Sequence, residues 1–158
     1  MSALLLKLDA FLPYKLSIAS NMVSDVIAGS YQRLFGLKVP EWRILAVIAE
    51  SGGSTQLEIG QRTRMDKVTV SRAARAMQAR GLVLRRPNEG DGRSHVLMLS
   101  LAGISLYGQV VPQALALEQA VLASISASEA MALSDLLDRM TLAATECLVT
   151  QELVQQSG

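Results

Sequence analysis

The residues from Asp66 to Ser100, DKVTVSRAARAMQARGLVLRRPNEGDGRSHVLMLS, constrain this chain more than any other segment. Asp66 is placed to cap a helix, apolar residues recur at helical spacing as far as Ala79, and Gly81 ends that helix. Two short runs, LVLRRP and HVLMLS, follow at once and flank the turn-forming NEGDG. A lone helix and a lone hairpin are each marginal in water, so both must lie on a common scaffold. A step of about 100° per residue puts Val70, Ala73, Ala74 and Met77 on one side of the helix and Val68, Arg72, Arg75 and Ala79 on the other. The first face packs, and the second turns charge outward.

The formal net charge of +1 hides a segregation along the chain. Residues 62–93 hold nine Lys and Arg against Asp66, Glu89 and Asp91, while the residues before them balance and those after carry Arg139 against six carboxylates. Of the nine cations only Lys67 is not arginine, whose planar fork suits guanine edges and phosphates. A polyanion is therefore attracted to one segment only, and double-stranded DNA is the polyanion whose major groove admits a helix. On this reading Lys67, Val68, Thr69, Ser71, Arg72 and Arg75 face a duplex, with hydroxyls for phosphates or base edges and Val68 for a thymine methyl. Arg86, Asp91 and Arg93 belong to the hairpin, where Arg93 beside the tip reaches an adjacent minor groove and Asp91 holds it in position. The bland alternatives are a solvated basic face and an ordinary turn salt bridge.

The rest of the chain reads as helices. One begins around Leu12, with Pro13 in its first turn, and runs to about Leu34 before Gly36. Pro40 opens a second, EWRILAVIAE, apolar over most of its circumference and so expected to be nearly enclosed. Gly52 and Gly53 stop it, and Thr55 with Glu58 forms the capping box of a short third helix. Two helices joined by a short turn, the second basic and outward, make a helix-turn-helix. Ser100 caps a long helix from about Ala102 to Ala123, which Pro112 is expected to kink. Ser126 and Glu129 open the last helix, to about Val154, with Met131, Leu133, Leu136, Leu137, Met140, Ala143 and Leu148 at helical spacing. Helices this apolar at both ends of a small chain exceed what one domain covers, so a homodimer is expected, whose twofold axis suits a palindromic operator. The expected fold is mainly α with a small β-hairpin wing: a winged helix-turn-helix with long N- and C-terminal dimerisation helices. Residues 1–158 form a single chain, with a DNA-binding lobe at 40–100 and a dimerisation region at 8–36 plus 101–154.

Composition excludes other classes. No apolar run reaches the length of a membrane span and the leading MSALLLKLDA is too short for a secretory signal, so a cytoplasmic protein with no membrane partner is expected. The single Cys147 forms no internal disulfide, and no neighbouring cation favours its thiolate. His95 is the one histidine and has no second ligand nearby, which leaves phosphate contact or simple exposure and no metal site. With no Gly-rich phosphate loop and no paired carboxylates on an apolar face, neither catalysis nor a cofactor is expected.

The whole pattern resembles the MarR family of bacterial transcriptional regulators. The resemblance runs through LPYKLS, PEWRIL, TQLEIGQRTRMDKVTVSRAARAMQARGLVLRR and DGRSHVLMLS, most strongly at TVSR (69–72), RGLVLRR (80–86) and Asp91 with Arg93. It implies an obligate homodimer joined by the terminal helices, usually a repressor, released from DNA when a small aromatic or phenolic ligand enters a pocket between the dimerisation helices and the DNA-binding lobe. For such a pocket the first two helices offer Arg43 to a carboxylate, Ser17, Ser20 and Asn21 as hydrogen-bonding groups, and Trp42 as a stacking surface. Each has a plainer role: Arg43 in an ion pair with Glu50 or with a residue from another helix, the polar residues in solvent or tying helices together, Trp42 in the core. A winged-helix module for protein assembly and a MarR-like activator are the alternative functions.

Overall fold

A computed structural model describes residues 5–156. After a short 3-10 turn, Leu8–Ala10, the chain forms α1 (Leu12–Phe35), α2 (Val39–Ser51), β1 (Ser54–Thr55), α3 (Gln56–Thr63), α4 (Lys67–Ala79), β2 (Val83–Asn88), β3 (Asp91–Leu99), α5 (Leu101–Val121) and α6 (Ala127–Gln156). It divides into two compact units, one through Leu117 and one from Glu118.

The boundaries follow from local chemistry. Pro13 stands in the first turn of α1, where its missing N–H is not needed, and Gly36 closes that helix at φ 60°, a left-handed conformation that costs glycine nothing. Thr55 caps α3 by accepting the Glu58 N–H at 3.2 Å, and the Glu58 carboxylate accepts the Thr55 N–H at 2.7 Å. Asp66 caps α4 through the Thr69 N–H at 2.8 Å. Ser100 accepts the Gly103 N–H at 3.0 Å and donates to the Gly81 carbonyl at 2.6 Å, so the start of α5 is tied to the end of α4. Pro112 lies inside α5, which continues through it to Val121.

The first unit has a single core. Ile44, Leu45, Val47 and Ile48 of α2 meet Ile59 of α3, Val70, Ala73, Ala74 and Met77 of α4, and Leu82, Val83 and Leu97 of the sheet region, with Tyr31, Leu37 and Val110 closing the edges. Ala73 and Ala74 leave room for α4 to lie close against α2, and all four residues expected on its packing face are buried.

The sheet exceeds the expected hairpin. It has three antiparallel strands in the order β1-β3-β2, because Ser54 and Thr55 pair with Leu97 and Val96. The turn is narrower than NEGDG: Asn88, Asp91 and Gly92 join the strands and leave Glu89-Gly90 to reverse the chain. Side-chain bonds hold this tip, from Asn88 Nδ2 to Ser94 Oγ at 2.8 Å and from the Gly90 N–H to Asn88 Oδ1 at 3.1 Å.

In the second unit Ser126 and Glu129 form the expected capping box, with the Ser126 N–H donating to the carboxylate at 2.8 Å. Helix α6 exposes Met131, Leu136, Leu142, Leu148 and Val149. Cys147 is a free, exposed thiol. No helix among the described residues is long and apolar enough to cross a membrane.

Candidate nucleic-acid interface

The outward face of α4 is a consequence of its inward one. With Val70, Ala73, Ala74 and Met77 fixed in the core, Val68, Arg72, Arg75 and Ala79 stand exposed, as the periodicity predicts. The Arg75 Nε–H donates to the Ser71 carbonyl one turn back at 3.3 Å, which sets the direction of its guanidinium. Thr69 serves the cap as well as the surface: its hydroxyl donates to Asp66 Oδ2 at 2.6 Å, so its proton is already engaged. That bond, with the Thr69 N–H, lowers the Asp66 carboxyl below its ordinary range and keeps it ionised.

Two grooves flank this face. The first, about 710 Å³, lies between the start of α3 and the wing and brings Lys67 together with Arg85, Asp91, Arg93 and His95. The second is smaller, at about 260 Å³, and sets Thr69 and Arg72 beside Lys38 and Glu41 at the start of α2. Arg86 is exposed on the wing and lines neither groove; Val68, Ser71 and Arg75 of α4 also line neither.

The nine cations of residues 62–93 do not act as one set. Arg62 is paired with Glu50. Arg80 donates to the carbonyls of Gly36 and Phe35 and to Glu41, which makes it part of the scaffold. Arg85 donates to His95 Nδ1 at 3.0 Å, a bond that requires the neutral ring with its proton on Nε2. Asp91 holds Arg93 by its backbone, accepting the N–H at 3.1 Å, while no ion pair joins the two side chains among the described residues. The alternative reading, an ordinary turn salt bridge, is not what forms: the contact is a turn hydrogen bond to the Arg93 backbone that leaves the guanidinium free. Sequence reasoning missed Lys38 and Arg85 as groove residues, and only the folded registers bring them there.

The candidate effector residues are dispersed over α1 and α2. Ser17, Ser20 and Asn21 are exposed on α1, Arg43 is exposed on α2, and none of them lines the grooves above. The expected Arg43–Glu50 pair does not form, because Arg62 of α3 takes the Glu50 carboxylate. Trp42 is half-buried against the core, stacked on Tyr107 at 6.1 Å between ring centroids and met edge-on by Tyr31 at 5.1 Å, so aromatic neighbours already occupy it.

A family model described as MarR family matches residues 35–94, the span from the end of α1 to the wing that carries this face. Over those residues the chain is similar to the MarR family. A solved probable transcriptional regulator from Pseudomonas aeruginosa is 28% identical, covers 85% of this chain and 99% of its own, and superposes with a TM-score of 0.77. The transcriptional repressor NicR of Pseudomonas putida is 29% identical over 96 residues, which is 61% of this chain and 61% of the relative's length. At the level of fold, BpsR of Bordetella bronchiseptica, solved in a study of how 6-hydroxynicotinic acid regulates its DNA binding, matches 87% of this chain and 97% of its own at 19% identity, with a TM-score of 0.79. The first two relatives are named as a probable transcriptional regulator and a transcriptional repressor, and the mainly helical fold of the two solved structures is the one seen here.

Proposed function

We propose that this chain is a MarR-family regulator that binds a palindromic operator in double-stranded DNA as a homodimer, represses transcription there, and is released by a small aromatic acid. The observation that carries the DNA reading is the exposed Arg72–Arg75 face of α4, standing beside a groove where Lys67 of the helix and Arg93 of the wing converge. A helix of this kind enters a major groove, and a hairpin arginine at its side reaches the neighbouring minor groove. Lys67, Ser71 and Arg86 then serve phosphates, Arg72 and Arg75 serve base edges, and Val68 serves a thymine methyl.

The homodimer rests on exposed apolar surface. In the single chain Leu12, Met22, Met131 and Leu142 are each more than 60% exposed, far beyond what scattered surface residues account for. A second copy that covers residues of 8–36 and 101–154 removes this surface from water and supplies the twofold axis. Repression is supported by the name of the Pseudomonas putida relative, and an aromatic carboxylate by the compound that regulates BpsR. Arg43, exposed and in no ion pair among the described residues, is the cation available to such a carboxylate, with Ser17, Ser20 and Asn21 as further contacts once the dimer forms.

The test is fluorescence anisotropy of the full chain with the duplex upstream of its own gene, titrated with salt and with a panel of aromatic carboxylates. Tight binding whose logarithm falls steeply with the logarithm of salt, relieved by one compound, supports the reading. Binding no tighter than to random duplex returns the protein to the assembly-module class.

A further inference from the structure

Arg64 is the only residue other than glycine with positive φ among the described residues, at 57°. It forms the C-cap of α3 and lies in the three-residue turn, Arg64, Met65 and Asp66, that leads into α4. The left-handed conformation crowds Cβ against the following carbonyl, which is why glycine or asparagine usually stands at such a helix end. A helix-turn-helix turn commonly uses glycine for the same reason. An arginine here opposes the local backbone preference, so its side chain must contribute something that the turn itself does not need.

That contribution is not internal to the chain. Arg64 is exposed, which excludes packing, and no ion pair or side-chain hydrogen bond among the described residues uses its guanidinium. It lines a groove of about 750 Å³ beside Gln61 and Lys67, in which Asp66 is the one carboxylate. That carboxylate is already engaged by the N–H and hydroxyl of Thr69. The guanidinium is thus an unneutralised fork at the N-terminal end of the helix whose exposed face carries Arg72 and Arg75, where the helix dipole adds positive potential.

We infer that Arg64 is a further DNA-contacting residue, a clamp on a backbone phosphate at the N-terminal end of α4, kept at a turn position where glycine would suit the fold better. The inference rests on the DNA reading above. A phosphate contact carries no base information, so its loss weakens every duplex alike, whereas loss of a base contact depends on sequence.

The experiment compares the full-length chain with Arg64→Gly, Arg64→Asn and Arg64→Lys, measuring the thermal midpoint of each and its binding to A·T-rich and G·C-rich duplexes across a salt series. Arg64→Gly and Arg64→Asn should keep or raise the midpoint, bind both duplexes several-fold more weakly at low salt, and lower the salt slope by about one. Arg64→Lys should retain most of that slope, because it keeps the charge. An unchanged slope in Arg64→Gly, or a loss confined to one duplex, overturns the phosphate clamp. A lowered midpoint in both Arg64→Gly and Arg64→Asn also overturns it, because the arginine would then be serving the fold. If the wild-type chain itself binds no duplex in a salt-dependent way, the DNA reading fails first and this inference falls with it.

Discussion

The guanidinium of Arg80, just past the end of α4, lies 3.4 Å from the buried carboxylate of Glu41 in the first turn of α2. The same guanidinium donates to the Gly36 carbonyl at 3.0 Å and the Phe35 carbonyl at 3.2 Å, while Glu41 accepts the Lys38 N–H at 2.9 Å. One fork therefore satisfies orphan carbonyls at the end of α1, holds the carboxylate that caps α2, and fixes the far end of the helix that presents Arg72 and Arg75.

Removing that fork should destabilise the fold. In Arg80→Ala the Glu41 side chain, only 8% exposed, loses its cation. Losing one partner of a buried pair costs ~3–5 kcal/mol, and because Arg80 is 37% exposed we expect a smaller loss of about 2 kcal/mol in urea unfolding. Arg80→Lys should recover only part of it, since a point charge cannot serve three acceptors in fork geometry. An unfolding midpoint unchanged in both variants would show that the clamp contributes nothing.

Gly103 marks where α5 passes the end of α4. A Cβ there would lie 2.2 Å from the Leu82 carbonyl oxygen, and that oxygen already accepts the Ser100 N–H at 3.0 Å. The obstacle is backbone, so α5 must move. Gly103→Ala should lower stability by about 1–3 kcal/mol, the usual range for overpacking, despite the gain in helix propensity. Equal stability of the two proteins by urea unfolding would mean that α5 shifts without loss.

Three capping carboxylates make stability depend on pH. Glu58 is held below its ordinary value of 4.5 by the Thr55 N–H and hydroxyl, Asp66 below 3.8 by the Thr69 hydroxyl and N–H, and Glu129 below 4.5 by Ser126. Each binds its proton less readily folded than unfolded, so folding releases protons and stability rises with pH through the carboxylate range. The contribution is complete above the unfolded values and disappears as pH falls through the lowered ones. The urea midpoint should hold steady near neutrality and decline below about pH 4.5, with a shallower decline in Glu58→Gln. A midpoint independent of pH in that range would remove these caps from the account.

The parts legible in the sequence are those governed by near neighbours. Gly36, Asp66, the Thr55–Glu58 and Ser126–Glu129 boxes, and the packing face Val70, Ala73, Ala74 and Met77 all act within a few residues, and the structure has them as read. Long-range choices were hidden. Nothing local tells Glu50 to pair with Arg62 rather than Arg43, since both lie within reach of a flexible carboxylate until α3 docks. Nothing within the basic segment marks Arg80 as a scaffold residue, because its acceptors lie 39 to 45 residues away. β1 escaped notice because two residues, Ser54 and Thr55, carry no period, and their partner strand is set by tertiary packing.

The arginines of α4 and the wing should separate by what they read. Arg72→Ala or Arg75→Ala should weaken operator binding by roughly 1–3 kcal/mol and relax base preference, as loss of a bidentate base contact does. Arg93→Ala should weaken binding most where the operator flanks are A·T-rich, because a narrow minor groove concentrates the potential that an inserted guanidinium senses. Anisotropy titrations against operators with A·T-rich and G·C-rich flanks distinguish the two effects. Unchanged affinity in both helix variants would refute the assignment of the outward face, and equal loss at all flanks for Arg93→Ala would make that residue a plain phosphate contact. The Asp91 bond adds a finer expectation. Because Asp91 accepts the Arg93 N–H and leaves the guanidinium unpaired, Asp91→Asn should keep the flank dependence nearly intact, whereas an arginine oriented by a salt bridge would lose it.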